Sequence, residues 1–222
     1  MLKLDLLAIG AHPDDVELGA GGTLIRQIQL GQQVGVLDLT QGELGTRGSA
    51  ELRAQEAAKA SEIMGIAVRH NLGLPDGFFE DNRENQLAVI RKIRQHRPDV
   101  VIANAVRDRH IDHGRGSQLV VNACFLSGLR KIETELEGKA QEAWRPKVIY
   151  HYIQDRYIEP DFVVDITDHW EQKMAAVGAY GSQFYDPNSS EPTSPIATPE
   201  FMEHLKGRAV SMGRLIGSTY GE

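Results

Sequence analysis

Three short apolar runs that scarcely alternate with polar residues constrain this chain more than any other feature. They are Leu4–Ala11, Gln33–Thr40 (QVGVLDLT) and Asp99–Ala105 (DVVIANA), the last directly after Pro98. A strand with one solvated face alternates polar and apolar side chains, whereas a strand of a parallel sheet covered on both faces stays apolar throughout. Between these runs, Gly22–Leu30, Ala50–Met64 and Asn85–His96 carry apolar residues at helical spacing. Ala54, Ala57, Ala58, Ser61 and Met64, for example, share one stripe. Strand, helix and strand in repetition predict an α/β fold, a Rossmann-like layered domain with a mostly parallel central sheet flanked by helices. The 222 residues suit one domain spanning 1–222, and no repeat or shift in composition marks a second.

After Cys124 the pattern loosens. Ile132–Trp144 is charged and is expected to be helical. Lys147–Ile153 and Asp161–Ile166 are expected strands, Thr167–Ala179 a helix capped by Thr167 or Asp168, and Glu200–Ile216 a last helix. Between the last two helices, Tyr185–Pro199 is rich in Pro, Ser, Thr and Asn and is expected to be a long irregular loop, of the kind that serves function.

Composition excludes several classes of activity. Lys plus Arg number 24 against 31 Asp plus Glu, a net charge of −7 with no basic block, which argues against nucleic-acid or anionic-membrane surfaces. The single cysteine, Cys124, forms no internal disulfide and fits a reducing compartment. No apolar run approaches the roughly 20 residues of a membrane span. The N-terminus has a charge inside its apolar stretch and no small-residue cleavage site, so it reads as a first strand and not as a leader. A cytoplasmic location is expected.

The chemistry concentrates at two strand exits. Ala11-His12-Pro13-Asp14-Asp15-Val16-Glu17 follows the first strand, and ligands of open α/β sheets bind beyond the carboxyl ends of strands. His12 and Asp15 stand three apart, a spacing that suits metal ligands if a helical turn begins there, with Asp14 pointing elsewhere. Helix capping explains the same two residues equally well. The second cluster, Arg107-Asp108-Arg109-His110-Ile111-Asp112-His113, follows the DVVIANA strand and leaves the same end of the sheet. His110 and His113 are again three apart, and Asp112 is placed to orient an imidazole. Two histidines and an aspartate that leave a coordination position open make a catalytic zinc set. Spacing alone does not choose between His110 and His113 as the ligand.

Gly19, Gly21 and Gly22 follow the acidic turn without the strand-GxGxxG-helix order, so close packing explains them better than a phosphate cradle. A magnesium phosphohydrolase is disfavoured, because imidazole ligands do not suit that hard ion. A non-enzymatic metal-binding module has no use for the extra carboxylate of Asp14.

AHPDD after the first strand together with HIDH after a later one resembles the LmbE / PIG-L family of zinc-dependent N-acetylglucosaminide deacetylases, over nearly the whole chain. Residues 41–48 (QGELGTRG) and the ending 213–222 (GRLIGSTYGE) resemble the bacillithiol-biosynthesis branch, which removes acetate from N-acetylglucosaminyl malate. The resemblance implies an LmbE-like fold and one zinc ion on His12, Asp15 and His113. It also implies Asp14 as general base and His110 as a charged partner held by Asp112. Arg53 is implied near the substrate, with Tyr185 the candidate for a loop tyrosine that reaches the oxyanion. A homo-oligomer, trimer or hexamer, and a C-terminus trimmed at Glu222 are implied as well. A rim of Arg47, Arg53, Arg107 and Arg109 at the metal end is expected to clamp a small acid such as malate.

Overall fold

The computed structural model describes residues 2–222. In chain order the elements are β1 (Leu6–Gly10), α1 (Asp15–Gln29), β2 (Val34–Thr40), α2 (Ala50–Met64), β3 (Val68–Leu74), α3 (Arg83–His96), β4 (Val100–Ala103) and α4 (Ile111–Ser127). Then follow β5 (Glu135–Leu136), β6 (Lys139–Ala140), β7 (Val148–His151), a 3₁₀ turn over Thr167–His169, α5 (Trp170–Gly178) and α6 (Pro199–Ile216). The main sheet has five parallel strands in the order β3-β2-β1-β4-β7. The expected layered α/β fold is therefore what the chain adopts.

Burial on both faces explains the unbroken apolar runs. Leu6 and Ala8 of β1 pack with Val16, Ala20 and Leu24 of α1, Ala57 and Ala60 of α2, Val177 of α5 and Leu205 of α6. Leu7 and Ile9, one residue out of phase, pack with Val89 and Ile93 of α3 and Leu119 and Ala123 of α4. Successive side chains of a strand point to opposite faces, so two helical layers require apolar residues at every position. Cys124 is buried in the second layer, where burial pushes its thiol up to about 12. It is core, not chemistry. A Cβ at Gly19 would collide with the Tyr152 ring and one at Gly22 with Ile166, so these glycines serve close packing.

Three local expectations fail. Ile132–Trp144 is not helical: β5 and β6 form a hairpin whose two turn residues, Glu137 and Gly138, both have positive φ (51° and 74°). That pair of left-handed residues is the signature of a tight type I′ turn. Asp161–Ile166 forms no sheet strand; it lies extended against the chain end, with Val164 N–H donating to Glu222 O at 2.8 Å and Ile166 N–H to Tyr220 O at 3.1 Å. Thr167 and Asp168 do not cap α5, whose first turn is preceded by the 3₁₀ turn, and Thr167 Oγ1 instead accepts from Tyr220 N–H. Among the described residues no helix is long and apolar enough to cross a membrane.

Strand order reverses between the neighbours β1 and β4: from β1 the sheet continues through β2 and β3 on one side, and from β4 to β7 on the other. The crevice beyond their carboxyl ends is the topological switch point, where ligands of such sheets bind. His12 leaves β1 at this crevice and His110 and His113 leave β4 there.

Candidate functional site

A cavity of about 460 Å³ and another of about 390 Å³ share Leu205 and Arg208 in their walls. The smaller one holds the ionisable cluster. His12, Asp14 and Asp15 come from the β1–α1 turn, Arg47 and Arg53 from beyond β2, Asp76 from beyond β3, His110 and His113 from beyond β4, and Gln154 from beyond β7. Five strand ends thus contribute, with Phe201, His204 and Arg208 of α6 on the far wall.

Asp15 lies between the two histidines. Its Oδ1 is 3.0 Å from His113 Nε2 and its Oδ2 is 3.5 Å from His12 Nδ1. The other nitrogen of each ring is held by a different carboxylate. His12 Nε2 is 3.0 Å from Asp76 Oδ1, and His113 Nδ1 is 2.5 Å from Asp108 Oδ2. Carboxylates on the outer nitrogens fix tautomer and ring direction, as they do around metal-bound histidines. His12 Nδ1 and His113 Nε2 thus face the two oxygens of Asp15, a set of three donor residues whose far ring nitrogens are already held. This donor set fits a tetrahedral zinc ion with one position open. Ring nitrogens of His12, His110 and His113 also lie within 4.8 Å of one another, as do donor atoms of His12, Asp76 and Asp112.

Burial works to lower the histidines, yet the carboxylates prevail: His113 rises to about 9 through Asp15 and Asp108, and His12 rises well above its ordinary value through Asp112, Asp15 and Asp76. Burial would raise Asp15, but His113 and His12 hold it well below the usual carboxylate range. His113, raised to about 9, carries two protons at pH 7 in the free site and would give one up to bind a metal. Metal uptake at pH 7 is thus expected to release protons, His113 contributing one. Affinity should climb with pH through about 9, where His113 loses its proton. Calorimetry in buffers of different ionisation heat reads the protons directly; uptake without proton release would exclude His113 as a ligand.

Asp14 is the N-cap of α1 in the left-handed region, φ 119°, a conformation that costs a non-glycine residue about 1–3 kcal/mol. Among the described residues no protein group donates a hydrogen bond to its buried carboxylate. Burial pushes that carboxyl up to about 7 against the pull of Arg53. A strained backbone thus holds this carboxyl in the cavity of His12, Asp15 and His113 without a capping hydrogen bond.

The family profile for GlcNAc-PI de-N-acetylase, PIG-L, matches residues 7–124, which include both strand-exit clusters. This chain belongs to the PIG-L family. Diacetylchitobiose deacetylase of Thermococcus kodakarensis is 28% identical over 98% of this PIG-L chain and 80% of its own length. Conserved protein TT1542 from Thermus thermophilus superposes with a TM-score of 0.88 at 40% identity, covering 99% of this chain and 92% of that one. N,N′-diacetylchitobiose deacetylase from Pyrococcus horikoshii, solved with an inhibitor, gives 0.81 at 25% identity over 98% of this chain and 81% of that one.

Several roles expected for residues of this PIG-L chain change on inspection. Asp112 does not hold His110. Its carboxylate accepts from Gly77 N–H at 2.8 Å and Arg115 at 2.7 Å, and it lies 3.4 Å from His12 Nε2. His110 is the N-cap of α4, and its Nδ1 accepts the Asp112 backbone N–H at 3.3 Å. Burial and the neighbouring His12 and His113 lower its pKa, which favours a neutral ring, and with Nδ1 accepting from Asp112 N–H a neutral ring would carry its proton on Nε2. A helix N-terminus favours this neutral form. Tyr185 is 45% exposed and lies outside the cavity wall, so nothing places it at an oxyanion. Arg107 is exposed and also lies outside. Arg109 lines the cavity but gives its Nε–H to Asp155 at 2.7 Å, and Arg47 is taken up by Ser182 O and Ser189 Oγ, both at 2.8 Å.

Of the four rim arginines, Arg53 is the one that remains. It is buried, hydrogen-bonds Gln183, and has no carboxylate within ion-pair distance among the described residues. Gly42 makes room for it: φ is +67° there, and any Cβ would strike the guanidinium. Asp76 and Gln154 escaped the sequence reading, because each lies alone in its own segment with no second polar ligand at turn spacing, while Asn104 and Asp108 lay inside quoted runs with no role assigned. Asp108 was within a quoted motif, and its place five residues before His113 was the one available signal.

Proposed function

We propose that this chain hydrolyses the acetamide of an N-acetylglucosaminide, using zinc held by His12, Asp15 and His113. The supporting observation is the free, buried carboxylate of Asp14 in the same cavity as those three donor residues. Relatives named as deacetylases of acetylated amino sugars support the acetamide as the bond broken.

A bound zinc ion would supply an acidified water and polarise the acetamide oxygen. Asp14 is the general base that takes the water proton as the acetyl carbonyl is attacked. Nε2–H of neutral His110 donates to the oxygen that gains charge, a contribution typically worth about 3–4 kcal/mol per donor. Arg53 lies close enough to steady the Asp14 carboxylate as its charge changes. The proton collected on Asp14 then passes to the departing amine, so acetate and free amine leave together.

For the substrate we propose N-acetylglucosaminyl malate, the acid being received by Arg53, with Arg109 at the rim. Support comes from the likeness of residues 41–48 and 213–222 to the bacillithiol-biosynthesis branch and from the unpaired Arg53 beside the metal donors. Primary-amine release from the malate conjugate and from N,N′-diacetylchitobiose should be compared with zinc-loaded protein. The malate conjugate is expected to lead in kcat/KM by about tenfold or more, roughly 1.4 kcal/mol, with part of the lead lost in Arg53→Ala. Equal rates would remove malate and leave the deacetylase. No amine from either, nor from other N-acetylglucosaminides, would remove the deacetylase.

A further inference from the structure

Hydrogen-bond donors surround Asp15 unevenly. Its Oδ2 accepts from His12 N–H and from Asn104 Nδ2, both at 3.0 Å, while its Oδ1 accepts from Gln154 Nε2, also at 3.0 Å, and otherwise faces His113 Nε2. Neither amide is free to turn around. Gln154 Oε1 accepts from Asn104 Nδ2 at 2.9 Å and from Ala105 N–H at 3.3 Å, which commits Gln154 Nε2 to Asp15. Asn104 in turn spends both N–H bonds on Asp15 and Gln154, and its own Oδ1 is buried without a partner. A buried acceptor left unpaired is costly, so the donors must be placed where they are for another reason.

A carboxylate has about four lone-pair sites. Three N–H donors occupy both on Oδ2 and one on Oδ1. The remaining site belongs to Oδ1, the oxygen that faces His113 Nε2. We infer that Asn104 and Gln154 are positioning residues that restrict Asp15 to binding the metal through Oδ1 alone. This inference rests on the metal reading of His12, Asp15 and His113 given above. Single-oxygen attachment keeps a fourth position available for water or substrate, which a carboxylate gripping with both oxygens would obstruct. The two amides come from the ends of β4 and β7, so the sheet itself sets the denticity of a ligand that follows β1.

The test uses Co²⁺, whose visible absorption weakens as its coordination number rises, bound to the wild-type chain and to Gln154→Met and Asn104→Ala. Competition with a chromophoric chelator gives the affinity. Each variant is expected to bind one ion about 10–100-fold more weakly, as is typical when an outer hydrogen bond to a ligand is lost. Asn104→Ala should also show a weaker visible band, as the freed Oδ2 lets Asp15 grip with both oxygens. Wild-type affinity and an unchanged spectrum in both variants would overturn the inference. Weaker binding with an unchanged spectrum in Asn104→Ala would also overturn it, by reducing the amides to packing. A wild-type chain that takes up no cobalt would instead overturn the metal reading itself. Should Gln154→Met fail to fold, Asn104→Ala carries the same measurement, because it frees Oδ2 and leaves the Gln154 bond in place.

Discussion

Asp14→Asn is expected to lower kcat by about 10²–10⁴-fold while metal content stays at the wild-type level. The amide fills the same space and cannot accept the water proton. Asparagine also tolerates the left-handed backbone that position 14 requires, so the turn should survive the exchange. Steady-state amine release together with elemental analysis decides the matter. Near-normal turnover would take Asp14 out of the reaction, and loss of the metal would make it a ligand.

The largest loss of stability is expected at Arg69, far from any substrate. Its guanidinium forks onto Asp38 at 2.7 and 2.8 Å and reaches Glu17 Oε1 at 2.6 Å, all three residues lying in or against the sheet. Tyr180 O–H also donates to Glu17 Oε1 at 3.0 Å, yet Glu17 Oε2 has no partner. Arg69→Met would strand two buried carboxylates and should cost about 3–5 kcal/mol. For a chain of this size that is roughly 6–20 °C in Tm. The sign of the pH dependence follows. Burial already raises Asp38 even with Arg69 opposing it, and removal of the cation raises it further. An acid whose folded pKa lies above its unfolded value destabilises above that pKa, so the deficit of Arg69→Met should shrink as pH falls. Thermal melts at several pH values test both claims; a deficit that ignores pH would assign the loss to packing. Replacing Glu17, Asp38 and Arg69 together with apolar residues should recover most of it.

This ion-pair group also shows why β3 was hidden in the sequence. Its residues, Val68–Leu74 (VRHNLGL), mix Arg69, His70 and Asn71 among apolar positions and match neither the continuous nor the alternating pattern. Arg69 is tolerable in a sheet only because Asp38 and Glu17 meet it, and such partners are invisible to local pattern. The strands β1, β2 and β4 were legible because two covered faces demand apolar residues at each position. His12, Asp15, His110 and His113 were legible for a different reason: chelating pairs drawn from one turn sit at fixed short spacing. Asp76 and Gln154 reach the same cavity as lone polar residues after β3 and β7, so only the sheet order brings them in. Glu137-Gly138 was a usable hairpin signal that the surrounding charge, helical in character, outweighed.

β7 has four residues and a single hydrogen-bonded neighbour, β4, at the outer edge of the sheet. Short outer strands are among the first parts of a domain to open transiently, well before global unfolding. Gln154 stands just beyond β7, and its bond to Asp15 spans 139 positions of sequence. Each brief detachment of that edge would loosen the grip on Asp15 while the core beneath stays folded. The residence time of a captured ion would then be clocked by the fraying of one peripheral strand, not by the durability of the domain that carries it.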